Sequence, residues 1–330
     1  MTKYVVIGSN SFSGQDFIDL LLGETNGDVI GVSRSAEYPA YRLRYKARSD
    51  LSRYRFFKAD MNRDIDRMLE MLDSEKPNYI VNFAAQSEVG PSWEHPEHWF
   101  ETNTVSLAKL VNHLRRRAWL KRYLHISSPE AYGNCVGTIT ESAPDNPSTP
   151  YAASKAAADM LISAYQKTFG FPAMFIRATN VYGARQQLFK IIPRSVIYVK
   201  LGRKIRLDGG GCAVKSYINV RDVSRGEFAV LHGGKVGERY HLSPDAGIAV
   251  RDVVRLIAER MKKRIEDVSE VGPERPGQDA AYVIDSTKVR TEFGWRPTIS
   301  LEHGVAETVD WVESNWAEIS AAPLEYQHKP

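Results

Sequence analysis

Seven residues near the start of the chain limit its fold more than any others: Gly8-Ser-Asn-Ser-Phe-Ser-Gly14. The short apolar run Lys3 to Ile7 precedes them, and Phe12 to Leu22 follows with helical periodicity. A strand that turns through glycine straight into a helix belongs in a sheet. Gly8 permits the tight turn, Gly14 permits close helix–strand contact, and the helix N-terminus then faces a pyrophosphate. Ser11 stands at the middle position, where glycine is usual. Its side chain is small enough to fit, and its hydroxyl is a candidate phosphate contact beside Asn10 and Phe12.

The alternation then repeats. Asp28 to Ser33, Tyr54 to Lys58, Tyr79 to Phe83, Tyr123 to Ile126 and Ala173 to Arg177 read as strands. Helical patterns run over Asp64 to Leu72, over His98 to Arg117 and from Tyr151 onward. The second carries Leu107, Leu110, Val111 and Leu114 on one stripe. Strands alternating with helices predict an α/β fold: a Rossmann-type, doubly wound parallel sheet with helices on both faces. Beyond Asn180 short elements mix with Gly- and Pro-rich loops, as at Gly209 to Gly211 and Gly272 to Gly277. The expected organisation is a nucleotide-binding domain over residues 1–180, to which segments near 217–242 and 281–292 return. Residues 181–330 form mainly a smaller mixed α/β lobe on the carboxyl ends of the strands, where ligands bind.

Composition narrows the partners. The chain has 330 residues, 43% of them hydrophobic, and a net charge of only +4. The basic clusters Arg115 to Arg117 and Lys262 to Arg264 fall near helix ends, where they suit the helix dipole and solvent better than a nucleic acid. Two cysteines, Cys135 and Cys212, make neither a disulfide framework nor a structural zinc site, which fits a reducing cytoplasm. No apolar run approaches the roughly 18 residues of a membrane span.

The end of the second strand separates the two nicotinamide cofactors. NAD needs an acidic residue there for the adenosine ribose hydroxyls. This chain has Ser33-Arg34-Ser35, a guanidinium between hydroxyls, which suits a ribose 2′-phosphate. NADP(H) is therefore the expected cofactor, with NAD the alternative. Asp60 is placed to hydrogen-bond the adenine, and Phe83-Ala84-Ala85 puts small residues beside the cofactor. Met61 and Asn103 complete the expected set.

Tyr151 and Lys155 are four apart in Tyr-Ala-Ala-Ser-Lys, so a helix puts both on one face. A phenol is a poor base at neutral pH, and an ammonium beside it favours the phenolate. The pair can then take a proton from an alcohol.

Gly8 to Gly14, Asn82 to Ala85, Tyr151 to Lys155 and Arg177-Ala-Thr-Asn-Val-Tyr-Gly183 occur in that order, followed by Arg275 to Asp279 and Phe293 to Pro297. Together they resemble the extended short-chain dehydrogenase/reductases over nearly the whole chain. The resemblance implies a nicotinamide cofactor in the first lobe and a nucleotide-diphosphate sugar in the second. The loop Ser127-Ser-Pro-Glu-Ala-Tyr-Gly133 resembles that of nucleotide-sugar 4,6-dehydratases. On that likeness Ser128 holds the sugar's carbon-4 oxygen and Glu130 removes the proton from carbon 5. Pro129 departs from members with a separate aspartic acid for the leaving hydroxyl, but not from the GDP-mannose group. Ser87 and Ser92, in segments similar to that group, are expected on that likeness to contact the substrate, while Glu88 stands where histidine is usual. Asn180, Lys190, Lys215 and Arg275 match positions that hold the nucleotide. The resemblance also implies a homodimer, paired through the helices from His98 and from Tyr151. Alternatives are a UDP-glucuronate decarboxylase, a sugar 4-epimerase or reductase, and a catalytically silent NADP-binding regulator. No metal is expected.

Overall fold

The computed structural model describes residues 2–134, 138–273 and 281–329. Its centre is a seven-stranded, wholly parallel sheet. Six strands come from residues 3–178: β1 (Lys3–Ile7), β2 (Asp28–Ser33), β3 (Tyr54–Lys58), β4 (Tyr79–Asn82), β5 (Arg122–Ile126) and β6 (Ala173–Ala178). The seventh, Arg239–Leu242, pairs with β6 at the far edge. β1 pairs with β2 on one side and with β4 on the other. The strand order therefore reverses at β1, and a crevice opens at the carboxyl ends there. Register sets what faces it: Ile7 lies opposite both Val32 and Asn82, so Gly8, Ser33 and Phe83 come to one edge.

Helices cover both faces because the central strands β1, β2, β4, β5 and β6 are apolar on both sides. On one face Phe17, Ile18 and Leu21 of α1 (Phe12–Glu24) pack with Val230 and Leu231 of the helix Val220–Gly233. On the other, Met68 and Leu72 of α2 (Ile65–Glu75) meet Leu107, Leu110, Val111 and Leu114. A second lobe has its own core of Ile192, Val196, Val253, Ile257, Val305 and Val309. These come from the helices Ile191–Leu201, Val250–Arg260 and Leu301–Ser314.

The helix expected over His98 to Arg117 is interrupted. It runs as α3 (Pro96–Phe100), a π-helical turn over Glu101–Ser106, and α4 (Leu107–Leu114). The leucine stripe is regular only within α4, which is why periodicity did not expose the turn. Such turns recur at functional sites, and this one carries Asn103. The helix opened by Tyr151 is α5 (Pro150–Phe169). Thr149 caps it by accepting from the Ala152 amide at 3.1 Å, Pro150 occupies its first position, and Gly170 at φ 67° ends it. Among the described residues no helix is long and apolar enough to cross a membrane.

Candidate active site

The glycine turn fits a dinucleotide. Gly8 sits at φ 88°, and a Cβ there would come within 2.7 Å of the Ala84 amide nitrogen. Only glycine lets the β1 and β4 ends approach this closely. Ser11 caps α1 by accepting from the Gly14 amide at 3.0 Å. Its oxygen is thus already an acceptor within the turn, and only its proton is left to offer a phosphate. Asn10 braces the neighbouring loop: its side chain donates to the Ala36 carbonyl at 2.9 Å and accepts from the Tyr38 amide.

Residues expected at the cofactor's adenosine end have partners within the protein. Ser33 is buried and accepts from the Asn10 amide at 2.9 Å, so its hydroxyl faces the glycine turn rather than the Arg34 side. Asp60 accepts from the Asn62 amide at 2.8 Å in a local turn. Ser35 contributes its carbonyl, which lies 3.4 Å from the Asn10 amide group. Arg34 donates to the Lys329 carbonyl at 3.1 Å. Met61 is buried with Ile65 in the core beneath α2, and Phe83 packs on Phe17 with ring centroids 5.7 Å apart. Ala84 and Ala85 are half-buried beyond them.

Asn103 was expected to touch the cofactor. In the structure its side chain bonds within the protein: it accepts from the Gln86 amide and donates to the Gln86 carbonyl and to Ser154. It ties the loop after β4 to α5, so it positions Tyr151. Ser92 was expected at the substrate and is fully buried. It donates to the Val89 carbonyl at 2.6 Å and accepts from the Tyr151 amide at 3.2 Å. Ser87 remains exposed.

Tyr151, Ser128 and Glu130 converge. Burial pushes the Tyr151 phenol well above its usual value, the Glu130 charge pushes it further, and a hydrogen bond with Ser128 pulls it back. The Glu130 amide donates to Ser128 Oγ at 3.2 Å, which fixes the loop as a short 3-10 turn after β5. Lys155 is 2% exposed, and its ammonium donates to the Ile126 carbonyl at 2.8 Å. Burial pushes Lys155 down to about 8, against the pull of the Asp159 carboxylate. Ser128 and Glu130 share a cavity of about 130 Å³ with Thr179, Asn180 and Lys215. Lys190 does not line that cavity; it forms an ion pair at 2.7 Å with Glu88, whose charge also acts on Tyr151. Arg275 and the rest of its motif lie outside the described residues, as does Cys135.

A family model described as GDP-mannose 4,6 dehydratase matches residues 5–308. The chain belongs to this family. It is thus an extended short-chain dehydrogenase/reductase of the nucleotide-sugar 4,6-dehydratase group. A dTDP-glucose 4,6-dehydratase of Streptomyces niveus is 32% identical to it, over 99% of this chain and 98% of the relative. The dTDP-glucose 4,6-dehydratase of Streptomyces venezuelae, solved with NAD, superposes with a TM-score of 0.88. It is 29% identical, over 96% of this chain and 98% of that one. That of Bacillus anthracis, also with NAD, gives 0.85 at 29% identity, over 96% and 97%.

Behind Lys155 the dehydratase carries a buried charge network that sequence reasoning missed. Asp159 accepts from Arg177 and from Ser127, each at 2.6 Å, and Arg177 pairs with Asp145 at 2.8 Å. His125 lies 3.5 Å from the Lys155 ammonium, and burial holds its imidazole neutral. Asp159 is one helical turn beyond Lys155, so the spacing Tyr151, Lys155, Asp159 was the available signal.

Proposed function

We infer that this nucleotide-sugar 4,6-dehydratase works through Tyr151, Lys155, Ser128 and Glu130, with NADP as its preferred cofactor. A bound nicotinamide supplies the hydride acceptor and, later, the donor. Tyr151 takes the proton of the carbon-4 hydroxyl while Ser128 holds that oxygen. Lys155 keeps a positive charge behind the phenol, and Asp159 helps it stay protonated in a dry site. The ketone acidifies the neighbouring carbon-5 hydrogen. Glu130 removes that proton, and the carbon-6 hydroxyl leaves as water. The observation that carries this reading is Glu130: a carboxylate close enough to raise the Tyr151 phenol, in the loop that also positions Ser128. Pro129, between them, offers no acid, so Glu130 or a water protonates the leaving hydroxyl. The test is incubation with GDP-, dTDP-, UDP- and CDP-hexoses, each product read by mass. Loss of one water from at least one sugar is expected, without net consumption of cofactor. Loss of carbon dioxide from a UDP-glucuronate would support the decarboxylase instead.

Asn180 and Lys215 face the same cavity as Glu130 and are assigned to the sugar and diphosphate. Lys190 contributes less charge than a free lysine, because Glu88 already pairs with it.

The NADP preference rests on Arg34 and on the missing acidic residue after β2. NADP should bind the apo protein more tightly than NAD in a titration, and Arg34→Ala should weaken NADP selectively. NAD binding as tight as NADP binding would overturn the preference.

A homodimer is the assembly we assign. Met160 (57% exposed), Phe169 (51%) and Val105 (43%) leave apolar surface on α5 and on the turn before α4. Two such helices from each copy make a four-helix contact about a twofold axis. Sedimentation at micromolar concentration should give a dimer, and Met160→Glu should shift it toward monomer. A wild-type monomer would contradict the assignment.

A further inference from the structure

The segment Pro323–Lys329 crosses from one lobe to the other. It leaves the helix Trp316–Ala321, and Ala322 and Leu324 pack against the core of the second lobe. The Tyr198 hydroxyl donates to Glu325 at 3.1 Å, and Tyr326 meets Phe189 edge-on with centroids 5.4 Å apart. The chain then reaches the first lobe. His328 lies flat on Trp99, with centroids 5.3 Å and planes 7° apart, and its Nε2 is 2.8 Å from His98 Nδ1. The Lys329 carbonyl accepts from Gln86 Nε2 at 2.5 Å and from Arg34 Nη1 at 3.1 Å. Arg34 follows β2 and Gln86 follows β4, so these two donors stand on either side of the crevice above the glycine turn.

Trp99 is fully buried, so this is a packed seam with aromatic contacts at both ends. In the first lobe its polar contacts are to the side chains of His98, Gln86 and Arg34, the last being the residue assigned to the cofactor's 2′-phosphate. Among the described residues, none of its hydrogen bonds reaches Gly8 to Gly14 or Asp60. We propose that Pro323–Lys329 is a strap that forms the outer wall of the dinucleotide site and retains the cofactor between turnovers. The proposal rests on the cofactor site assigned above. Its chemical logic is that a 4,6-dehydration returns the cofactor in its starting form. The enzyme then has no need to release it each cycle, and a wall that slows exchange costs nothing in turnover. In the first lobe the strap is held by one carbonyl on two donors and by an imidazole that stacks on Trp99 and bonds His98; these contacts can let go, so the strap opens without unfolding either lobe.

The test compares the full chain with a chain lacking residues 323–330 and with His328→Ala. Each is loaded with NADPH and chased with excess NADP, and dissociation is read from the loss of bound-nucleotide fluorescence. The deletion should speed dissociation about tenfold or more, and His328→Ala should lie between the two. If the deletion does not fold, His328→Ala decides, with a rise of about threefold expected. Unchanged dissociation would overturn the strap. Slower dissociation would also overturn it, by showing that the segment stands in the cofactor's own place. A full chain that holds neither NADP nor NAD would overturn the cofactor site itself, and the strap with it.

Discussion

Tyr151→Phe should abolish the oxidation at carbon 4 and, with it, every later step. The substitution keeps the ring, its buried place at the start of α5 and the backbone amide that donates to Ser92. It removes the oxygen we assign to take the carbon-4 proton. Burial and the Glu130 charge hold the phenol protonated in the ligand-free protein. The Ser128 hydrogen bond opposes them, so the base depends on its surroundings. Loss of a positioned base costs about 10²–10⁴-fold. No reduced-nicotinamide absorbance should develop when substrate is added. Lys155→Met should act in the same direction. Substantial activity in Tyr151→Phe would remove Tyr151 from the reaction.

Glu130→Gln should separate the two halves of the chemistry. The amide keeps the shape of the side chain and loses the base. Dehydration should fall by about 10²–10⁴-fold. The first oxidation should survive, because it depends on Tyr151 and Lys155. The Tyr151 phenol should even become more acidic, since the neighbouring negative charge that raises it is gone. Substrate added to the variant should therefore give reduced-nicotinamide absorbance that decays slowly. In deuterated water the wild type should place solvent deuterium on carbon 5 of the product. Dehydration at the wild-type rate in Glu130→Gln would contradict the role given to this loop.

The parts legible in the sequence are those whose partners are close along the chain. Gly8 and Gly14 bracket one turn, Tyr151 and Lys155 share one helical turn, and Ser128 and Glu130 share one loop. Short apolar runs bounded by helical patterns placed the first six strands, five of them buried on both faces and β3 at the sheet edge. What stayed hidden depends on residues far apart. The π turn is visible only once Asn103 is seen bonding Gln86 and Ser154. Ser92 reads as a ligand until its hydroxyl is found accepting from the start of α5. Glu88 reads as an odd replacement until Lys190, about a hundred residues later, is found beside it. Asp159 and Arg177 look like ordinary surface charges on a helix and a strand, yet both are fully buried. In each case spacing gave the element, and long-range packing gave the role.

The central claim is that hydride leaves carbon 4 and returns to carbon 6 of the same sugar. Its most direct measurement uses the hexose that loses water in the panel, prepared with deuterium on carbon 4. The product, recovered after a single incubation and read by mass and by proton resonance, should carry that deuterium in the new methyl group at carbon 6. Deuterium back on carbon 4, in an inverted or unchanged sugar, or left in the cofactor with an oxidised sugar released, would contradict a 4,6-dehydratase mechanism.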